Sequence, residues 1–129
     1  MIAVDSSAVV AILARETGYE TLAAKLDAAG TGVISTGNVL EIQLVLGGRR
    51  AIGDWNGVQD FFTHFSIAPR PFDERQLRYA REAALRYGKG RHKAGLNFGD
   101  CFAYALAKSE AIPLLCTGSD FSHTDIAMA

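Results

Sequence analysis

The chain has few cysteines, no long apolar run and no excess of basic charge. Of its 129 residues only two are cysteines, Cys101 and Cys116, and each lies in an apolar segment. Two cysteines are too few for a disulfide framework, and their spacing is not that of a zinc site, so we interpret both as small buried hydrophobic residues in a reducing compartment. The apolar run 8–14 is too short to cross a membrane, and no basic segment precedes an apolar one at the N-terminus. These absences favour a cytoplasmic protein without a membrane partner.

The balance of charge limits how the chain could contact nucleic acid. The formal net charge is −1 and the sequence pI is near 6.3, whereas a protein that coats nucleic acid is usually strongly basic. Basic residues nevertheless cluster at Arg49 and Arg50, and again in the stretch that contains Arg86, Lys89, Arg91, His92 and Lys93. The second stretch is either a rim whose Arg91 and Lys93 contact phosphate groups or a solvated loop, and charge alone leaves both interpretations open.

Short apolar segments of strand type alternate with segments whose apolar residues recur at helical spacing. The strand-type segments cover residues 1–4, 33–34, 65–68 and 114–116, with a possible last strand at Ile126, and the helical segments begin near residues 8, 19, 38, 55, 73 and 97. The chain is 49% hydrophobic and 21% charged, which suffices for the core of one ordinary domain. This alternation predicts a three-layer α/β/α fold with a central, mainly parallel sheet, formed by residues 1–129 as a single domain.

Local signals predict where helices and loops begin. The pairs with the spacing of a capping box are Thr17 and Glu20, Asn38 and Glu41, and Asn97 and Asp100.

Pro69 and Pro71 predict a loop after the third strand. Gly99 lies directly before Asp100 and indicates that another group closely approaches the start of that helix, which capping alone does not require.

Four acidic residues stand where a parallel sheet binds its ligands, beyond the carboxyl ends of the strands. Asp5 and Asp120 follow predicted strands, and Glu41 and Asp100 lie near the starts of two apolar helices. A turn or a helix cap explains each acid equally well when it is taken alone. Together, however, they concentrate negative charge, and closely packed carboxylates cannot all remain ionised without cations.

The chemistry of this acidic set points to a hard divalent metal. Oxygen ligands without a useful set of Cys and His side chains favour Mg²⁺ or Mn²⁺ over zinc. Ions held in this way suit hydrolysis of a phosphodiester, because they activate a water molecule and stabilise the leaving oxygen. Glu41 and Asp100 carry most of this inference, since a lone carboxylate on an apolar helix is costly without a partner.

Four segments, taken in chain order, carry a family resemblance. They are residues 1–8 (MIAVDSSA), Glu41 in its apolar helix, residues 96–107 (LNFGDCFAYALA) and residues 114–126 (LLCTGSDFSHTDI). With these segments the chain resembles the PIN-domain ribonucleases, specifically the VapC-type toxins of bacterial toxin–antitoxin pairs. The resemblance covers nearly the whole chain, and the segment Asn-Phe-Gly-Asp with its helix is the most specific part.

The resemblance implies a set of site residues and a metal. The implied acids are Asp5, Glu41, Asp100 and Asp120. Family members usually bind Mg²⁺ or Mn²⁺ at these positions and cut single-stranded regions of RNA. Ser7 matches a hydroxyl residue that supports the first aspartate, and Thr117 matches another hydroxyl near the site. Ser119 stands where many relatives carry Asn or Asp, so we expect Asp120 to lie outside the direct ligands or to bind only with a second metal or RNA.

The resemblance also implies partners. They are an RNA substrate, a small VapB-like antitoxin that blocks the site, and a second copy of the chain in a homodimer. An aromatic group formed by Trp55, Phe61 and Phe62 could serve one of these protein contacts or could belong to the core.

Alternatives from other classes remain open at this point. A PIN-like nuclease could process RNA or cut DNA without being a toxin. A non-catalytic receiver-like module would need an acidic pair near the end of the first strand and a lysine after a later strand, and neither 5–7 nor 116–118 supplies them. A dehalogenase-like enzyme would need a second aspartate where the chain has Ser7.

Overall fold

The computed structural model describes residues 1–48 and 53–129, and in this part of the chain a parallel sheet lies between helices. Its strands are β1 (Ile2–Val4), β2 (Gly32–Ser35), β3 (Ile67–Arg70) and β4 (Leu114–Leu115). The strand order is β3-β2-β1-β4, and each neighbouring pair is parallel. The predicted α/β fold with a central parallel sheet is confirmed.

The helices follow the predicted apolar periodicity. They are α1 (Ser6–Leu13), α2 (Tyr19–Ala29), α3 (Thr36–Leu46), α4 (Trp55–His64), α5 (Glu74–Tyr87) and α6 (Phe98–Glu110), with a 3₁₀ turn over Asp120–His123. Arg49 and Arg50, the first of the two basic clusters, lie outside the described residues.

Two of the predicted helix caps are wrong. Helix α2 starts after Gly18, which has a φ of 87° and provides no side-chain cap, so the predicted box of Thr17 and Glu20 does not form. Helix α3 is capped by Ser35, whose Oγ accepts a hydrogen bond from the Gly37 amide at 3.2 Å. Asn38 is therefore already inside the helix and is free to act elsewhere.

Pro69 lies within a strand and not in the predicted loop. It belongs to β3, where it is the register partner of Ile34 on β2. Proline lacks the amide hydrogen that a central strand needs, but β3 is an edge strand with a neighbour on one side only. The edge position is what permits a proline here.

The C-terminal tail covers the opposite edge of the sheet. The Leu114 amide donates to the Ala127 carbonyl, and the Ala129 amide donates to the Leu114 carbonyl, both at 2.9 Å. The possible last strand at Ile126 is thus reduced to a single parallel bridge between Leu114 and Met128.

Alternating residues of the strands contribute to two hydrophobic cores on opposite faces of the sheet. Val4 and Ile34 pack with residues of α1, α3 and α4, whereas Ala3 and Val33 pack with residues of α5 and α6. The aromatic group is divided: Phe61 and Phe62 are in the first core and Trp55 is 37% exposed.

The two cysteines differ in part from the prediction. Both are free thiols, but they are half-buried and only border the second core. Among the described residues, no helix combines the length and apolarity that crossing a bilayer requires.

Candidate metal centre

Asp5 is the buried centre of the acidic group. It directly follows β1 and caps α1, since its Oδ2 accepts a hydrogen bond from the Ser7 amide at 3.1 Å. The residue is only 3% exposed, and its other oxygen, Oδ1, is buried without a hydrogen-bond partner in the part of the chain that the structure describes. A buried carboxylate oxygen without a donor is costly, so this oxygen is suited to a cation.

Glu41 reaches the same place from α3 and is held at one oxygen. Its Oε1 accepts hydrogen bonds from the Ser6 hydroxyl and from Asn38 Nδ2, the latter at 3.0 Å. The same amide nitrogen of Asn38 also donates to the Gly99 carbonyl at 3.0 Å. Asn38, which is fully buried, therefore ties α3 to the start of α6 while it orients the Glu41 carboxylate.

Asp100 is fixed by the predicted capping box, which is confirmed. The Asp100 amide donates to Asn97 Oδ1 at 2.9 Å, and the Asn97 amide donates to Asp100 Oδ2 at 3.0 Å. Gly99 beside it is buried, and a Cβ atom there would lie 2.1 Å from Glu41 Oε2. Gly99 predicted that another group closely approaches the start of α6. That group is the Glu41 carboxylate.

The acids act on one another electrostatically. Burial raises the pKa of Asp5 from 3.8 to about 6 against the stabilising hydrogen bonds from Ser7, and the charges of Asp100 and Glu41 add to the rise. Burial also raises the pKa of Asp100, to which the charges of Asp120 and Glu41 contribute. Negative charge from four separate chain segments is therefore concentrated beyond the carboxyl end of the sheet.

Cys116 lies close enough to the acids to be affected by their charge. It directly follows β4, and burial raises the pKa of its thiol to about 12, with further contributions from Asp5, Asp100 and Asp120. Asp120 itself is exposed at the start of the 3₁₀ turn. The structure thus places Asp5, Glu41 and Asp100 together and sets Asp120 at the outer side of the group.

Each of the three inner acids has one oxygen committed to the protein and one without a protein donor among the described residues. The committed oxygens are Asp5 Oδ2, Glu41 Oε1 and Asp100 Oδ2. Within residues 1–48 and 53–129, no three Asp, Glu, His or Cys side chains are close enough to form a ready-made metal site. The orphaned Asp5 Oδ1 and the shared negative charge nevertheless fit a hard divalent cation, because carboxylate oxygens are the ligands that such ions prefer.

Ser7 and Thr117 join the ends of two strands. The Thr117 amide donates to Ser7 Oγ at 3.1 Å, while Ser7 supports Asp5 through its own amide. Thr117 therefore contributes its backbone, and its exposed side chain lies at the rim.

Arg91 and Lys93 are exposed on the turn that connects α5 to α6. This turn is closed by the Leu96 amide, which donates to the Tyr87 carbonyl at 2.9 Å, and it leads directly into Asn97. The two basic side chains, Arg91 and Lys93, therefore lie on the segment that precedes Asp100.

Sequence reasoning missed Ser6 and Asn38 as site residues. Ser6 was visible as a hydroxyl beside Asp5, and Asn38 precedes Glu41 by three residues, a spacing that puts two side chains on one helical face. A buried asparagine in an otherwise apolar helix was the available signal.

A parallel α/β sheet with an acidic cluster beyond its carboxyl edge defines the class of this protein. The family model for the PIN domain matches residues 2–127. The chain therefore belongs to the PIN-domain family, as its sequence motifs predicted, and the receiver-like and dehalogenase-like alternatives are excluded.

Known proteins share both sequence and fold with this chain. A VapC ribonuclease of Mycobacterium bovis is 43% identical over 126 residues, which cover 96% of this chain and 95% of that protein. The toxin VapC20 of Mycobacterium tuberculosis, which cleaves the sarcin–ricin loop, has a TM-score of 0.73 at 17% identity and covers 100% of this chain and 98% of its own. A toxin–antitoxin complex from Klebsiella pneumoniae has a TM-score of 0.72 at 12% identity, with coverages of 100% and 97%. At such identities the two solved structures support the fold alone.

Replacing Gly99 by alanine should displace the Glu41 carboxylate. The displaced carboxylate would weaken its hydrogen bonds with Ser6 and Asn38, so we expect the free energy of unfolding to fall by about 1–3 kcal/mol while the protein still folds. Mn²⁺ affinity, measured by calorimetric titration, should fall by about tenfold or more, as is typical when ligand-orienting contacts are lost. Gly57→Ala is the matched control, because its Cβ would meet only Asp54 Oδ1 at 3.7 Å. Equal Mn²⁺ affinity in both variants would contradict the close approach.

Asp5→Asn should stabilise the metal-free protein. The carboxyl has a higher pKa folded than unfolded, so its ionisation lowers stability progressively as pH rises from about 4 to 6, and the full loss of at most about 3 kcal/mol persists above pH 6. Asparagine can keep the helix cap without the charge. Thermal unfolding in EDTA should therefore show a gain that grows over this range and then levels off.

Asp73→Asn is the control for this experiment. Asp73 also caps a helix, but it is exposed. A gain of the same size and pH dependence in both variants would show that burial of Asp5 is not its cause.

Proposed function

We propose that this chain is a metal-dependent endoribonuclease and the toxin of a VapBC-type toxin–antitoxin pair, with residues 1–129 acting as one PIN domain. The observation that carries the proposal is the convergence of Asp5, Glu41 and Asp100, each with one oxygen that accepts no hydrogen bond from the described residues. A relative at 43% identity over nearly the full length is a VapC ribonuclease, which supports the same activity here.

Asp5, Glu41, Asp100 and Asp120 would hold Mg²⁺ or Mn²⁺. When bound, such ions supply an activated water and neutralise the charge that develops on the leaving oxygen. We assign Asp120 to the outer part of the site because it is exposed and because its charge acts on Asp100.

The protein's own contribution is orientation. Ser6 and Asn38 fix one Glu41 oxygen, and the Ser7 and Asn97 amides fix one oxygen each of the two aspartates. These contacts hold the three carboxylates in place before substrate binds, which would lower the reorganisation needed when the phosphodiester arrives. Arg91 and Lys93 would contact the RNA backbone beside the site.

The proposal includes protein partners and a compartment. A VapB-like antitoxin would cover the acidic group beyond the carboxyl end of the sheet and block it. The toxin would act in the cytoplasm as a homodimer. The shared fold with a toxin–antitoxin complex from Klebsiella pneumoniae is consistent with such a partner.

Purified protein should cleave RNA in the presence of Mg²⁺ or Mn²⁺ and lose this activity in EDTA. Glu41→Gln and Asp100→Asn should lower kcat/KM at least about 100-fold, because each removes charge from the metal site while keeping side-chain size. Glu74→Gln, an exposed acid at the start of α5, should cleave as the wild type does.

Expression of the chain alone tests the toxin assignment. The wild type and Glu74→Gln should arrest bacterial growth, and Glu41→Gln should relieve the arrest. RNA cleavage in vitro without growth arrest would favour an RNA-processing PIN nuclease instead. Full cleavage by Asp100→Asn would refute the site itself.

Neutralising Arg91 and Lys93 with glutamine should weaken RNA binding and flatten its dependence on salt. Two lost contacts with single-stranded phosphates lower the slope of log K against log salt concentration by about 1.4. Arg78→Gln with Arg81→Gln makes the same charge change on exposed positions of α5 and serves as the control. If the two double variants had the same slope of log K against log salt concentration, the turn would be a solvated loop that does not contact RNA.

A further inference from the structure

Phe98 is the most exposed large apolar side chain among the described residues. It is 82% exposed in the first turn of α6, two residues before Asp100. A large aromatic ring left in water beside a cluster of functional acids is unusual enough to need a reason, because burial of such a ring is strongly favourable.

Phe98 is nevertheless held in a defined position by other rings. Its ring packs edge to face on the Phe102 ring, with 5.0 Å between the ring centroids. The Phe102 ring packs in the same way on the Phe72 ring, with 4.7 Å between the centroids. Phe102 in turn packs closely on α3, since a Cβ at Gly37 would lie 2.5 Å from its ring. This row of three rings gives Phe98 a preset orientation.

The ring borders a cavity that opens beside the acids. The cavity has a volume of about 380 Å³, and its walls include Gly37, Leu40, Glu41, Leu44, Phe98 and Phe102. Leu40 and Leu44 are 62% and 75% exposed on one face of α3. Glu41 thus belongs both to this cavity and to the candidate metal centre, so an occupant of the cavity lies within one side chain of the other inner acids.

The chemistry of the cavity selects a neutral, flat group. Within residues 1–48 and 53–129, no Lys or Arg side chain lines it, so its described walls are unsuited to a phosphate. An apolar protein segment in the cavity would bury the Glu41 carboxylate against hydrocarbon, which is costly. A nucleobase has a π face for the Phe98 ring, and its own phosphate would remain outside near the acids.

We propose that Phe98 and this cavity form a base-binding subsite, in which one RNA base next to the cut stacks on the Phe98 ring between it and the leucines of α3. The inference rests on the proposed ribonuclease function and adds to it a source of preference for where the strand is cut. Because the ring row is preset, stacking fixes the nucleotide without ordering a mobile side chain.

Cleavage of one defined single-stranded oligonucleotide with Mg²⁺ tests the subsite, using versions in which a single base at a time is removed. For the wild type, one abasic position beside the cut should lower kcat/KM about tenfold or more, since stacking of a base on an aromatic ring has this magnitude. Phe98→Ala should cause a similar fall on the intact oligonucleotide and should be insensitive to the same abasic position. Phe98→Trp should restore both the rate and the sensitivity.

Leu85→Ala is the matched control, because Leu85 is 62% exposed on α5 and borders a different cavity. It should behave as the wild type does with every oligonucleotide. If Phe98→Ala cleaved the intact oligonucleotide normally, or if its loss and the abasic loss multiplied independently, the subsite would be refuted.

Sedimentation of the same variants separates the subsite from a protein interface. If Phe98→Ala changed the oligomeric state and its rate recovered at high protein concentration, the ring would be an interface residue and the subsite would again be wrong. If the wild type cleaved no oligonucleotide with Mg²⁺ or Mn²⁺, the proposed function would fail first, and the subsite with it.

Discussion

The close approach of α3 to the start of α6 is the contact on which the acidic site depends. One amide nitrogen, Asn38 Nδ2, donates to both the Glu41 carboxylate and the Gly99 carbonyl and so fixes the distance between the two helices. The absence of a side chain at Gly99 makes room for the carboxylate. Without this junction Glu41 and Asp100 would be two unrelated helix residues, and their charges would not add at Asp5.

The fold was largely predictable because its signals are local. Apolar runs such as Ile2–Val4 and helical periodicity in α5 and α6 depend only on neighbouring residues, and they predicted the layers and the parallel sheet. The errors occurred where tertiary position overrides local preference. Pro69 is tolerated in a strand only because that strand is at an edge of the sheet. Ser35, and not Asn38, caps α3 because β2 leads directly into this helix.

For the candidate site, the sequence predicted the acids and the support of Asp5 by Ser7, but not the supports of Glu41. Asp5 and Asp100 could be found because a strand end and a capping pattern mark them in the sequence. Ser6 and Asn38 were missed although they lie near the acids in the sequence, because the hydrogen bonds of Ser6 to Glu41 and of Asn38 to Gly99 join helices that are distant along the chain. The same applies to the exposure of Phe98, whose position at the start of an apolar helix gives no indication that its ring is left in solvent.

Each edge of the described sheet is partly blocked against a further strand. On one side Pro69 removes a donor from β3, and on the other the tail residues Ala127 and Ala129 occupy the backbone groups of Leu114. An edge with fewer free backbone groups is a poorer template for another strand, which disfavours fibrous self-association through the backbone. Association with other chains is thereby left to side chains on the helices, where specificity can be encoded residue by residue.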